Sequence, residues 1–226
     1  MSGGVVLARI RINVADLPGT LGRVASAIGS AGADIVKVNV LESEAGRAVD
    51  DVFVIVRDSV HLDKVSTSLG ALAGTSLLGV QYPAPPVGGH ADLELLNQVL
   101  SNPERGLQTL VDGAPGAVGA DWAAIVVYDG AGEFDGVVTM STHAPEPEAV
   151  TMRSALRLGP VQMTTLETGE PYGGSALVPL GYDPVGLLLV RESGPEFHSS
   201  ELYRLEQMGL IASHAVRTVL LEAPPA

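Results

Sequence analysis

Asn13-Val14-Ala15-Asp16-Leu17-Pro18-Gly19-Thr20-Leu21 is where one periodicity ends and another begins. Before it, residues 7–14 alternate, with Ile10, Ile12 and Val14 on one side and Arg9, Arg11 and Asn13 on the other. A period of two with one apolar side is a strand with one covered face. After it, Leu21, Val24, Ala25 and Ile28 fall on one stripe of a helix running from Gly19 to Ala31, and Gly32 stops that helix. The turn between them holds a proline, which suits a first helical turn, and a glycine, which lets a backbone be approached closely.

The alternation returns in Val36, Val38 and Val40, and again in Val52, Val54 and Val56 beyond a loop at 42–46. Leu62, Val65, Leu69 and Leu72 step by three and four, and Leu78, Val80 and Tyr82 alternate once more. The order is β-α-β-β-α-β, a ferredoxin-like unit. It predicts a domain at 1–82, ended by a linker at 83–90 rich in Pro and Gly.

A second domain is predicted over 91–222, with a frayed tail at 223–226. Leu93, Leu96 and Leu100 indicate a helix, and Asn102-Pro103-Glu104 opens another that runs to about Asp112. Trp122–Tyr128, Phe134–Met140, Ala176–Leu180 and Val185–Arg191 read as strands, the first apolar on both faces like a central one. The last helix carries Leu202, Leu205, Gly209, Ala212, Val216 and Val219 at steps of three and four. That seam packs either on its own sheet or, with residues 93–111, against a second copy.

Composition narrows the function. The chain of 226 residues is 46% hydrophobic and 17% charged, as a globular protein is. It has no cysteine, which removes disulfides, thiolate metal sites and cysteine nucleophiles. Net charge is −13; residues 1–82 hold seven Lys/Arg against eight Asp/Glu, and the rest six against eighteen. No stretch clusters the cations that a phosphate backbone or anionic membrane requires, so neither is expected as a partner. No signal segment or membrane-length apolar run is visible, and a cytoplasmic protein is expected.

The same is true of catalytic patterns. His61, His90, His143, His198 and His214 show no metal-ligand spacing, and no Gly-x-Ser-x-Gly elbow or phosphate loop occurs. Asp50 and Asp51 are adjacent in a strand and face opposite sides, which spoils them as a cooperating pair. The expectation is a protein without catalytic residues, metal or cofactor.

Asp16-Leu17-Pro18-Gly19-Thr20-Leu21 resembles the Asp-x-Pro-Gly-x-Leu turn of the ACT domain family, and Gly32-Ala33-Asp34-Ile35 resembles its Gly-Ala-Asn-Ile segment. The resemblance spans residues 5–82 and implies binding of a small ligand, typically an amino acid, between two paired copies. It assigns Asp16, Leu17, Pro18, Gly19, Thr20 and Leu21 to one wall, and Asp34 and Ile35 of the neighbouring copy to the other. The N–H groups of Gly19, Thr20 and Leu21 offer a carboxylate site. Asp16 is read either as their cap or as an acceptor for an ammonium group. Asp34, where the family often has Asn, adds a negative charge and redirects the site toward cations or abolishes carboxylate binding.

The second region resembles GAF domains through residues 166–171, 176–180, 185–190 and 194–197, with His198 where that family often has Ser. This implies an α/β/α domain around a central antiparallel sheet. Its cysteine-dependent branches are excluded, and the Asn-Lys-x-Phe signature of its cyclic-nucleotide branch is missing. His143, in a loop rich in Pro and Glu, reads as a solvated side chain. Trp122, Tyr128 and Tyr172 are candidates for a second pocket or are plain core. The expected function is a ligand-sensing regulator, a homodimer or higher homo-oligomer, that signals through a partner protein. The alternative is a dimerisation or interaction protein with no small-molecule ligand.

Overall fold

The computed structural model describes residues 5–84, 90–152, 162–164, 174–181 and 184–222. The chain divides into two compact units, Met1–Gly88 with Ser193–Pro195, and Gly89–Glu192 with Glu196–Ala226.

In the first unit the elements are β1 (Val6–Ala15), α1 (Thr20–Ala31), β2 (Asp34–Glu44), β3 (Arg47–Val56), α2 (Ser59–Gly70) and β4 (Thr75–Gln81). The sheet order is β2-β3-β1-β4, with antiparallel neighbours throughout. The alternation read from sequence sets the register: Ile10 faces Val52, Ile12 faces Asp50 and Val14 faces Ala48. Ala8, Ile10, Ile12, Val14, Val52, Val54 and Val56 form a core with Val24 and Ile28 of α1 and Leu62, Val65 and Leu69 of α2. The β2–β3 hairpin closes on Ala45 and Gly46, at φ 51° and 76°, the paired positive φ values that match strand twist.

The buried stripe of α1 is Thr20, Val24, Ile28 and Ala31. This differs from the expected stripe, because burying the Thr20 side chain turns Leu21 and Ala25 outward. The α2 start is capped by the Asp58 carboxylate, which accepts from the His61 N–H at 2.7 Å. His61 is buried, its Nδ1 accepting from the Arg57 N–H and its Nε2 lying 3.2 Å from Ala31 O.

The second unit holds α3 (Ala91–Ser101), a 3-10 turn (Pro103–Arg105), α4 (Gly106–Val118), β5 (Trp122–Tyr128), β6 (Phe134–Met140), a second 3-10 turn (Pro147–Ala149), β7 (Gln162–Thr164), β8 (Ser175–Pro179), β9 (Val185–Val190) and α5 (Ser199–Glu222). Its sheet is antiparallel in the order β6-β5-β9-β8-β7. Helix α4 continues six residues beyond the expected stop at Asp112, through Pro115. Leu110, Val111 and Ala114 stay on the buried face, and that burial outweighs the bond the proline cannot donate.

On one face of the sheet, Ala123, Ile125, Val178, Leu187 and Leu189 pack with α3, α4 and α5. On the other, Trp122, Ala124, Val126, Tyr128, Leu177, Leu188 and Val190 cluster with Val150 and Met152. The α5 seam packs within the unit: Leu205, Ala212 and Val216 belong to that first core. At Gly209 a methyl group would come 2.5 Å from Val178 Cγ1 and 3.2 Å from Pro179 O. Glycine is what lets the helix lie so close to the strand. Arg204 donates to Asp92 at 2.9 Å, joining α5 to α3, and this bond holds the Asp92 carboxyl below its ordinary range.

Among the described residues, no helix is long and apolar enough to cross a membrane.

Candidate functional site

The turn from β1 into α1 is built almost wholly from backbone. Asp16 donates its N–H to Gly46 O at 2.9 Å, Leu17 to Ala15 O at 3.0 Å, and Thr20 to Leu17 O at 3.1 Å. Gly19 stands at φ 88° as the N-cap of α1, and no side chain caps the helix. That left-handed conformation costs any residue with a Cβ about 1–2 kcal/mol. A methyl group on Gly19 would meet no heavy atom within 4 Å. The backbone here is open to approach.

A cavity of ≈ 450 Å³ lies against this turn. Asp16, Leu17, Pro18, Gly19, Thr20 and Leu21 all line it, with Val14, Val40, Ser43, Ala48 and Asp50 among the other walls. The six residues assigned from sequence are therefore brought together. Two details differ from expectation. The Thr20 N–H is already engaged with Leu17 O. Asp16 is not the helix cap; its Oδ2 accepts from Ser43 Oγ at 2.6 Å. Asp34 and Ile35 sit at the start of β2, opposite Ile55 and Val54 of β3. They precede Val40 by six and five residues, roughly 15–20 Å along a strand, so within one copy they stand at the other end of β2 from the cavity.

Asp50, which the sequence reading sets aside as half of a spoiled pair, is the most unusual group in the cavity. It is 1% exposed, and its Oδ1 is buried with no hydrogen-bond partner. Burial, followed by the charges of Asp16 and Asp51, holds its carboxyl above the usual range. Its neighbour behaves in the opposite way. Asp51 faces the other side of β3 and receives a two-pronged bond from Arg11, Nε to Oδ1 at 2.7 Å and Nη2 to Oδ2 at 2.8 Å. A sequence signal existed: Ala48, Asp50, Val52, Val54 and Val56 share one face of β3, so a charge stands in the core-facing register.

The candidates of the second unit fare differently. Trp122 and Tyr128 stand at the two ends of β5, six residues and roughly 20 Å apart. Both are core side chains. Trp122 Nε1 donates to Glu192 at 3.1 Å, and the Tyr128 hydroxyl lies 3.5 Å from Met152 Sδ, with burial pushing its pKa up. Tyr172 and the stretch 166–171 lie outside the described residues. His143 is exposed in a turn. Among the described residues, no group of three or more His, Asp or Glu is placed to hold a metal ion.

The first unit is thus a β-α-β-β-α-β module in which a helix start without a side-chain cap opens on a cavity of ≈ 450 Å³. Residues 3–76 match the model of the ACT domain family and form an ACT domain. The chain is similar to the ACT domain of GTP pyrophosphokinase from Chlorobium tepidum, at 19% identity over 34% of this chain and 97% of that one, TM-score 0.30. The rest of the chain has GAF domains among its structural neighbours. One is the GAF domain of Acinetobacter phosphoenolpyruvate-protein phosphotransferase, at 12% identity over 62% of this chain and 100% of that one, TM-score 0.42. Another is free methionine-R-sulfoxide reductase from Neisseria meningitidis, solved with its substrate, at 14% identity over 62% and 97%, TM-score 0.42. No curated protein matches the chain. ACT and GAF domains are typically small-molecule-sensing regulatory domains.

Proposed function

We propose that this chain is a non-catalytic regulator that senses an amino acid through its ACT domain and acts on a partner protein. The observation that carries this reading is the unplugged cavity at Pro18–Gly19, where a left-handed glycine leaves the start of α1 uncapped and approachable. An uncapped helix N-terminus offers N–H groups and a favourable dipole to a carboxylate. Val14, Ala48 and Leu17 supply apolar wall for a side chain.

A second copy completes the site. Leu17 and Val40, which line the cavity, are 61% and 58% exposed, and Leu21 and Val38 are exposed as well. An apolar rim around a cavity is a surface that favours cover. In this reading Asp34 and Ile35 of the second copy supply the far wall, and ligand and pairing bias each other.

Thermal denaturation in the presence of each of the twenty amino acids tests the proposal. A ligand at a hundred times its dissociation constant stabilises the folded state by about 2.7 kcal/mol. A panel in which no amino acid moves the midpoint would overturn it. Sizing at micromolar concentration tests the pairing, and a monomer there would remove the shared wall.

A further inference from the structure

We infer that Asp50 is a ligand-binding residue: its carboxylate, in the wall of the cavity, receives a primary ammonium group, and together with Asp16 it makes the cavity select cationic amino acids. The assignment rests on the cavity being the ligand site proposed above.

Three observations carry it. First, Asp50 is buried to 1% exposure with Oδ1 unpartnered. A buried carboxylate oxygen without a partner is costly and calls for a compensating donor. The sheet is capable of providing one, since Asp51, also buried, is held by Arg11 from the strand alongside. Second, Asp50 and Asp16 line one cavity, and no Lys, Arg or His is among the residues lining it. Of the hydroxyls lining it, Ser43 Oγ donates to Asp16, and Thr20 Oγ1 accepts from Arg23. Two carboxylates facing a common space, with no cation beside them, attract positive charge. Third, the start of α1 lines the same cavity, and a helix N-terminus favours negative charge. A molecule with an ammonium group at one end and a carboxylate at the other matches both features. A second cationic group on the side chain matches the remaining carboxylate. Two carboxylates are too few ligands for a protein-built metal site, so an ammonium group, with its three donors, is the better fit.

Titration calorimetry on the full chain at pH 8 tests this with three probes: L-lysine, L-norleucine and 1,5-diaminopentane. Norleucine keeps lysine's carbon chain and lacks its side-chain charge. The expected results are that lysine binds about tenfold or more tighter than norleucine, and that Asp50→Asn weakens lysine by a similar factor. Far-UV circular dichroism establishes that the variant is folded, and the lysine–norleucine comparison needs no variant at all. Equal affinity for lysine and norleucine, or Asp50→Asn binding lysine within about twofold of the unmodified chain, overturns the assignment.

Its failure is separable from failure of the cavity reading. If neutral amino acids bind and Asp50→Asn is indifferent, the site stands and the role of Asp50 falls. If no amino acid binds but diaminopentane does, and only with Asp50 present, the ammonium subsite stands and amino-acid sensing falls. If nothing binds, both fall.

Discussion

Both units bury charged side chains, and the most deeply buried one in each, Arg191 and Asp50, are treated in opposite ways. Arg191, at the end of β9, is 0% exposed. It donates to the carbonyls of Gly119 and Val118 at 2.8 and 3.1 Å and to Glu201 at 3.1 Å. Its guanidinium also lies 4.0 Å from the centre of the Phe197 ring. Asp50, at 1% exposure, has an oxygen that nothing satisfies. Burial alone therefore does not mark a functional charge. A buried charge whose valences are filled by the surrounding fold is architecture, holding the end of α4 and the start of α5 to the sheet. A buried charge left open toward a cavity is a vacancy in the hydrogen-bond ledger that an outside molecule can fill.

The contrast can be broken most sharply at Arg191. Arg191→Met removes the donors and keeps most of the volume, leaving Glu201 and two carbonyls without them. It should destabilise by about 3–5 kcal/mol. Trp122 is the chain's one tryptophan and sits in this unit's core, so urea unfolding followed by its fluorescence checks the value. A neutral outcome would mean that filled valences are no sign of architecture here. Next comes Gly209→Ala, whose methyl group would fall 2.5 Å from Val178 Cγ1. Overpacking of this kind costs about 1–3 kcal/mol, read by the same fluorescence.

In the first unit the effects are smaller, because its special groups serve an open space. Gly19→Ala meets no atom, so its cost is conformational alone, about 1–2 kcal/mol from a φ of 88°. Urea unfolding by far-UV circular dichroism measures it. The smallest effect has the opposite sign. The folded state holds the Asp50 proton more tightly than the unfolded chain does. Stability therefore falls as pH rises from the unfolded value, 3.8, through the raised folded one, and the loss persists above it. Asp50→Asn should be more stable than the unmodified chain by about 1 kcal/mol at pH 8. The gain should close as pH drops below 3.8. A loss at pH 8 would show that Asp50 is structural, like Arg191.

What sequence could disclose followed from what is local. Trp122–Tyr128 and Phe134–Met140 are legible to the residue because a doubly apolar run is followed by the turn Asp129-Gly-Ala-Gly132 and a strand-length partner. The cavity wall at 16–21 is legible for a similar reason, since a proline and a glycine act on their own backbone. The end of α4 is not legible, because Gly113, Pro115 and Gly116 look like a stop and only the core under Leu110 and Ala114 shows otherwise. Asp50 lies deeper still. Adjacent carboxylates do face opposite sides, as alternation requires. That Asp51 finds Arg11 forty residues away, while Asp50 lines one cavity with Asp16, depends on the pairing of β1 with β3.

The bond from Ser43 to Asp16 has a consequence for motion. Ser43 belongs to β2, an edge strand, and close by the backbone of Asp16 is tied to Gly46 at the hairpin tip. Ser43 occupies one acceptor site of Oδ2, and a carboxylate has others to offer, so a guest held by Asp16 would share it with Ser43 and tie the head of α1 to the hairpin edge. Amide exchange should then slow together around residues 20 and 45 on occupancy, and slowing at only one of them would break that link.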